Sequence, residues 1–115
     1  MAHQSPRYRE CVDACNACAA ACWHCANACL GESDPKAMAR CIALDMDCAG
    51  LCQFTAGAMA RDSELATHVA RLCEQACSAC AEECARHPHR HCQDCAAACR
   101  RCAEACRAVV ERVSR

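Results

Sequence analysis

A chain of 115 residues with 18 cysteines, only three aromatics (Tyr8, Trp23, Phe54) and a formal net charge of −1 is not composed like an ordinary globular domain. Its length suits one domain, expected to span residues 1–115. Most of its 55% apolar fraction is Ala and Cys, which excludes a dense aliphatic core as the whole design. Basic residues are scattered, so nothing tracks a phosphate backbone and no nucleic-acid partner is expected.

The first predicted helix opens at Ser5-Pro6, an N-cap followed by proline at N1, and stops at Gly31 as a C′ glycine. Its cysteines Cys11, Cys15, Cys18, Cys22, Cys25 and Cys29 alternate steps of four and three residues, which keeps them on one helix face. Ala14 to Gly31 is uncharged and long enough to suggest a membrane span. Asn16, His24 and Asn27 are polar, however, and no Lys/Arg asymmetry flanks the run, so no membrane partner is expected.

Asp34-Pro35 opens the second helix, which extends to about Arg61. It carries Cys41, Cys48 and Cys52, with Asp45 in the seam position between the first two. Ala43, Gly50 and Gly57 repeat at seven on another face, either as a close-approach surface between copies or as a merely weak helix surface. Asp62-Ser63-Glu64 caps the third helix, which carries Leu65, Val69 and Leu72, then Cys73, Cys77, Cys80 and Cys84, and fades at His87-Pro88. Pro88 at N1 starts the fourth, with Cys92, Cys95, Cys99, Cys102 and Cys106, ending near Val113.

Four helices of about 25 residues, each roughly 35 Å long, joined by short links, predict an all-α, antiparallel up-down-up-down four-helix bundle with a cysteine-lined core. One end would collect Cys29, Met38, Cys41, Cys84, His87, His89, His91 and Cys92, a mouth of soft and borderline metal ligands. The other would collect Phe54, Met59, Leu65, Val69, Leu72, Val109 and Val113 as an aliphatic plug.

So many cysteines serve either disulfides or a thiolate metal site. MAHQSPRYREC shows no charged region followed by an apolar one, so no export signal is read and a reducing compartment is expected. Residues four apart on a helix hold their Cβ atoms about 5–6 Å apart, too far for a cystine, although bridges between helices stay open. A metal–thiolate bond of about 2.3 Å lets one ion span two such sulfurs. Zinc prefers closed tetrahedral sets on turns, and iron–sulfur motifs are loop-borne. Cu(I) takes two or three thiolates and tolerates bridging sulfur, and its single charge neutralises a buried thiolate one for one. A capacity on the order of one Cu(I) per cysteine follows. Reduced cysteines could also simply fill the core, but all eighteen keep the seam register.

The remaining residues have two readings each. Asp45 is a carboxylate ligand near the mouth or a solvated group at a frayed seam. His87, His89 and His91 are a site that passes metal inward, with His91 beside Cys92 foremost, or a polar interhelix turn. Met38 is a thioether ligand or core filler. His24, His68 and Met46 read as surface or interface. Glu64 and His68 are four apart, not the Glu-x-x-His of di-iron bundles.

The C-x-x-x-C seams, the C-x3-D-x2-C-x3-C of the second helix (Cys41, Asp45, Cys48, Cys52) and H-x-H-x-H-C from His87 to Cys92 together resemble the bacterial copper storage proteins over essentially the whole chain. Lack of a twin-arginine leader is similar to the cytosolic branch. The resemblance implies storage of many Cu(I) ions, passage of metal by His and Met at one end, support for Cu(I) roles of Asp45 and His91, and homotetramers. No catalysis is expected, because no single thiol is set apart as a nucleophile. The rival functions are a zinc or general thiolate buffer and a disulfide-stapled structural bundle.

Overall fold

Alanine-rich segments bounded by proline and polar breaks form helices, since little inside them competes for backbone donors. The computed structural model describes residues 8–113: α1 (Arg9–Leu30), a 3₁₀ turn (Pro35–Met38), α2 (Ala39–Ala60), α3 (Ala66–Ala85) and α4 (Arg90–Val113). No strand occurs among the described residues. Ser5-Pro6 lies outside them; α1 follows Tyr8, which makes no side-chain cap. Pro35 does open its turn, which runs on into α2.

α1 stops at Gly31 as expected, but at three helix ends the local geometry differs from the sequence reading. Gly31 closes α1 at φ −88°, an ordinary right-handed value, with its N–H donating to Ala28 O at 3.0 Å, so glycine's conformational freedom goes unused. Asp62 ends α2 instead of capping α3. Its φ is 52°, its N–H donates to Met59 O at 3.2 Å, and Ser63 N–H reaches Ala58 O at 2.8 Å. That bond pair is a Schellman motif with aspartate in the left-handed place glycine usually takes. In the turn leading into α3, Ser63 Oγ accepts the Leu65 N–H at 3.1 Å, and α3 itself starts after Leu65 without a side-chain cap. Pro88 stands two residues ahead of Arg90 rather than at N1, and the His89 carbonyl receives the N–H groups of Cys92 and Gln93.

The helices pack in ring order, α1 against α2 and α4, α3 against α2 and α4, with the α1–α2 and α3–α4 hairpins most extensive. The bundle measures 46 × 29 × 18 Å. No helix among the described residues is long and apolar enough to cross a membrane. Every cysteine is at most 2% exposed. The alternating three-and-four step has placed all eighteen inside, where each thiol contributes on the order of 1 kcal/mol of burial. Buried Ala19, Ala49, Ala70 and Ala96 flank them and let the helices approach closely.

The aliphatic plug is smaller than expected. Met59 and Val109 are buried and are joined by Tyr8, Val12, Ala66 and Ala70, while Phe54, Leu65, Leu72 and Val113 are 41–51% exposed and Val69 is half-buried. The reason is angular. Leu72 precedes Cys73 by one residue, and one residue turns a helix by about 100°, out of the core. His24, His68 and Met46 are exposed, as read.

Candidate metal centre

Because the four seams converge, the interior is a continuous file of sulfur. All eighteen cysteines are free thiols. Neighbours on one helix touch at 3.8–4.0 Å, as in Cys25–Cys29, Cys48–Cys52 and Cys80–Cys84. Contacts between helices are as short or shorter: Cys41–Cys84 and Cys48–Cys77 at 3.5 Å, Cys15–Cys102 at 3.6 Å, Cys11–Cys106 at 3.7 Å. The sequence reading saw clips along each helix; the geometry adds equally close pairs across helices.

These contacts close into sets of four sulfurs lying within 4.8 Å of one another: Cys15/Cys52/Cys73/Cys102, Cys18/Cys48/Cys52/Cys77, Cys18/Cys22/Cys48/Cys99, Cys22/Cys80/Cys95/Cys99 and Cys25/Cys29/Cys41/Cys92. Cys18, Cys22, Cys48, Cys52 and Cys99 each belong to two of these sets. A sulfur shared between sets can bridge two soft ions, which isolated tetrahedral sites do not require.

Asp45 is fully buried, so the solvated reading is set aside. Its Oδ1 accepts from the thiols of Cys80 (3.1 Å), Cys95 (3.3 Å) and Cys84 (3.4 Å), and its Oδ2 from Cys41 (3.9 Å). α2 thereby places one oxygen among three thiols from two other helices, α3 and α4. Burial, with the charge of Cys95 adding to it, pushes its carboxyl up to about 8. Burial likewise raises the thiol of Cys29, and pushes Cys92 up to about 11. An empty file therefore favours neutral thiols here, and a bound cation reverses that preference.

The mouth gathers the histidines as the sequence reading anticipated. His91 Nδ1 lies 3.4 Å from Cys25 Sγ and 3.5 Å from Cys92 Sγ, while Nε2 lies 2.7 Å from Glu32 Oε2. A carboxylate only accepts, so Nε2 carries the proton and Nδ1 turns its lone pair to the sulfurs. The hydrogen bond from His91 holds the Glu32 carboxyl below its ordinary range. Glu32 Oε1 also lies 3.5 Å from His89 Nδ1. His87 Nε2 donates to Glu83 Oε2 at 2.9 Å, and Glu83 receives Arg40 Nε at 3.2 Å. The rings of His87, His89 and His91 stack in succession, with centroids 6.5 and 5.5 Å apart. Met38 is buried at the start of α2.

Sequence reasoning missed Glu32, Glu83 and Arg40. Glu32 follows Gly31 in the α1–α2 link, at the same end of the bundle as the histidines, and that position was a usable signal. Glu83 adjoins Cys84, which a reading confined to the seam passes over.

Comparison with known proteins agrees with this geometry. The family model for copper storage proteins matches residues 4–111. A curated relative, the uncharacterized cysteine-rich protein YhjQ of Bacillus subtilis, is 44% identical over 88 residues, covering 76% of this chain and 82% of that protein. The structure of Cu(I)-bound copper storage protein BsCsp3 is 42% identical, with a TM-score of 0.87 over 90% of this chain and 98% of that one. A cytosolic copper storage protein from Streptomyces lividans, solved with five coppers, is 40% identical, with a TM-score of 0.88 over 91% and 92%.

Proposed function

Because this chain belongs to the copper storage protein family, we propose that it stores Cu(I) in bulk on the thiolates lining its bundle. The overlap of four-sulfur sets carries this reading. A protein that needed one structural ion would close one set; a run of sets sharing sulfurs suits a monovalent soft ion in number, on the order of one Cu(I) per cysteine.

The ligands are Cys11, Cys15, Cys18, Cys22, Cys25, Cys29, Cys41, Cys48, Cys52, Cys73, Cys77, Cys80, Cys84, Cys92, Cys95, Cys99, Cys102 and Cys106. His91 takes copper first through Nδ1, with His89, His87 and Met38 completing the mouth. Ions then move inward by ligand exchange, each thiol losing its proton as it binds. Asp45 serves as an oxygen ligand one layer in, losing its own proton as the cation binds. No catalysis is part of this reading. No thiol is set apart as a nucleophile, since each is buried among others of its kind.

We place the protein in the cytosol, supported by its free thiols and by the Streptomyces relative described as cytosolic. We also propose a homotetramer built on the α1–α2 face. Between Asp13 and Glu32 the chain has no charged residue, and Trp23, Leu30, Met46 and Phe54 are 42–61% exposed there. A side chain built at Gly50 or Gly57 would meet nothing within 4 Å, so this face is open to a second copy. α3 and α4 are instead laced with charge, including the Arg107–Glu74 pair at 2.8 Å. Sedimentation of wild type and Phe54→Glu tests this: a monomeric wild type refutes it.

Anaerobic titration of the reduced apoprotein with Cu(I) tests storage. Saturation at one or two ions per chain would end the proposal. Zinc buffering remains a rival at the level of chemistry, and competition between Cu(I) and Zn(II) for the same thiols separates the two.

A further inference from the structure

The inner seam of α2 reads Cys41, Asp45, Cys48, Cys52, Thr55, Met59, keeping the alternating step throughout. Thr55 is fully buried, and among the described residues its hydroxyl is the one buried side-chain N or O atom without a hydrogen-bond partner. Threonine in a helix ordinarily turns its hydroxyl onto a carbonyl of the preceding turn. An orphaned buried hydroxyl is costly, and valine would fill the same shape without that cost. The apoprotein therefore gives no reason for threonine here.

The register supplies one. Cys41 pairs with Cys84, Asp45 with Cys80, Cys48 with Cys77 and Cys52 with Cys73, which continues to Thr55 opposite Ala70 on α3. Against α4, Asp45 meets Cys95, Cys48 meets Cys99 and Cys52 meets Cys102, which brings Thr55 level with Cys106. Cys106 in turn touches Cys11 of α1 at 3.7 Å. At this level α1 and α4 supply sulfur while α2 and α3 supply a hydroxyl and a methyl group. The Cys11–Cys106 contact is the last sulfur level of the file, and the next residues inward on α2 and α4, Met59 and Val109, are buried.

We infer that Thr55 is a positioning residue for the innermost copper: its hydroxyl donates to the metal-bound thiolate of the Cys11–Cys106 pair. This rests on the storage reading. A neutral thiol is a poor acceptor, whereas a thiolate bound to a cation is a charged one, and hydrogen bonds to charged groups are the stronger kind. The hydroxyl thus lacks a partner in the empty protein and gains one on loading. α2 is polarised accordingly, with an oxygen acceptor, Asp45, toward the mouth and an oxygen donor, Thr55, at the closed end.

Thr55→Val, Thr55→Ser and wild type are compared empty and loaded. In the empty reduced protein, Thr55→Val raises the melting temperature. In the loaded protein the total Cu(I) capacity is unchanged, but the slowest fraction released to a Cu(I) chelator leaves about tenfold faster. Thr55→Ser, which keeps the hydroxyl, releases copper at the wild-type rate. A valine variant that melts lower when empty, or releases at the wild-type rate, overturns the inference, as does a serine variant that behaves like valine. Wild type saturating at one or two ions would instead defeat the storage reading, and the melting comparison, which uses no copper, still judges the orphaned hydroxyl.

Discussion

The Sγ of Cys80 donates to Oδ1 of Asp45 at 3.1 Å, the shortest hydrogen bond any thiol makes among the described residues. It joins α3 to α2 inside a layer where every other partner is sulfur, and it leaves a carboxyl fully buried.

That carboxyl makes the stability of the apoprotein depend on pH. Burial pushes Asp45 up to about 8, above its unfolded value near 4, so between those limits the folded chain holds a proton the unfolded chain has lost. The contribution is fully present below about pH 4 and is lost as pH rises toward 8, with a slope of at most about 1.4 kcal/mol per unit. Denaturant melts of reduced apoprotein should show higher stability at pH 5 than at pH 7.5, and Asp45→Asn should flatten the difference. An unchanged slope in Asp45→Asn would remove Asp45 as its source.

Glu32 orients His91, and its loss should slow copper uptake. Glu32→Gln still offers an oxygen but no longer dictates which ring nitrogen carries the proton. Stopped-flow uptake from a Cu(I)–chelator complex should slow about tenfold, with the final number of ions unchanged. If His91→Ala slows uptake and Glu32→Gln does not, the carboxylate has no positioning role.

Sulfurs in the middle of the file should matter more than those at its end. Cys48 touches Cys18, Cys52, Cys77 and Cys99 at 3.5–4.0 Å. Cys48→Ala should lose on the order of two Cu(I) per chain and Cys11→Ala on the order of one, because a shared thiolate serves more than one ion. Elemental analysis of the loaded variants decides between this and a simple count of one ion per thiol.

Asp62→Gly should stabilise the apoprotein by about 1 kcal/mol, since glycine adopts the left-handed C′ conformation without the Cβ clash. Asp62→Val should destabilise it. Thermal melts check both, and copper capacity should stay constant. A glycine variant no more stable than wild type would mean that aspartate is already relaxed there.

Much of the site was legible before any fold was known. A seam that steps four and three can face only one way on a helix, so thiols replacing leucines announced both the bundle and a thiolate interior. Asp45 was visible as an interruption of that beat, and the histidines as a cluster in a turn at one end. Helix ends were read less well: Asp62 looked like a cap for α3 because its backbone conformation, which ties it to α2, leaves no trace in residue type. Phe54, Leu65, Leu72 and Val113 were assigned to the plug from their apolar side chains and their place at one end of the bundle, although their angular offset from the seam turns them outward.

Local periodicity and composition determined that this chain makes four helices, turns its cysteines inward and favours a soft cation, because those properties depend on neighbours a few residues apart. Only the tertiary structure decided that Cys41 lies against Cys84, that one Asp45 oxygen gathers three thiols, that Glu32 sets the proton on His91 and that Thr55 is left without a partner. Each of these depends on how far one helix is slid along another. That axial offset is set by linker geometry and by the packing of small residues between helices, and no single helix's pattern contains it.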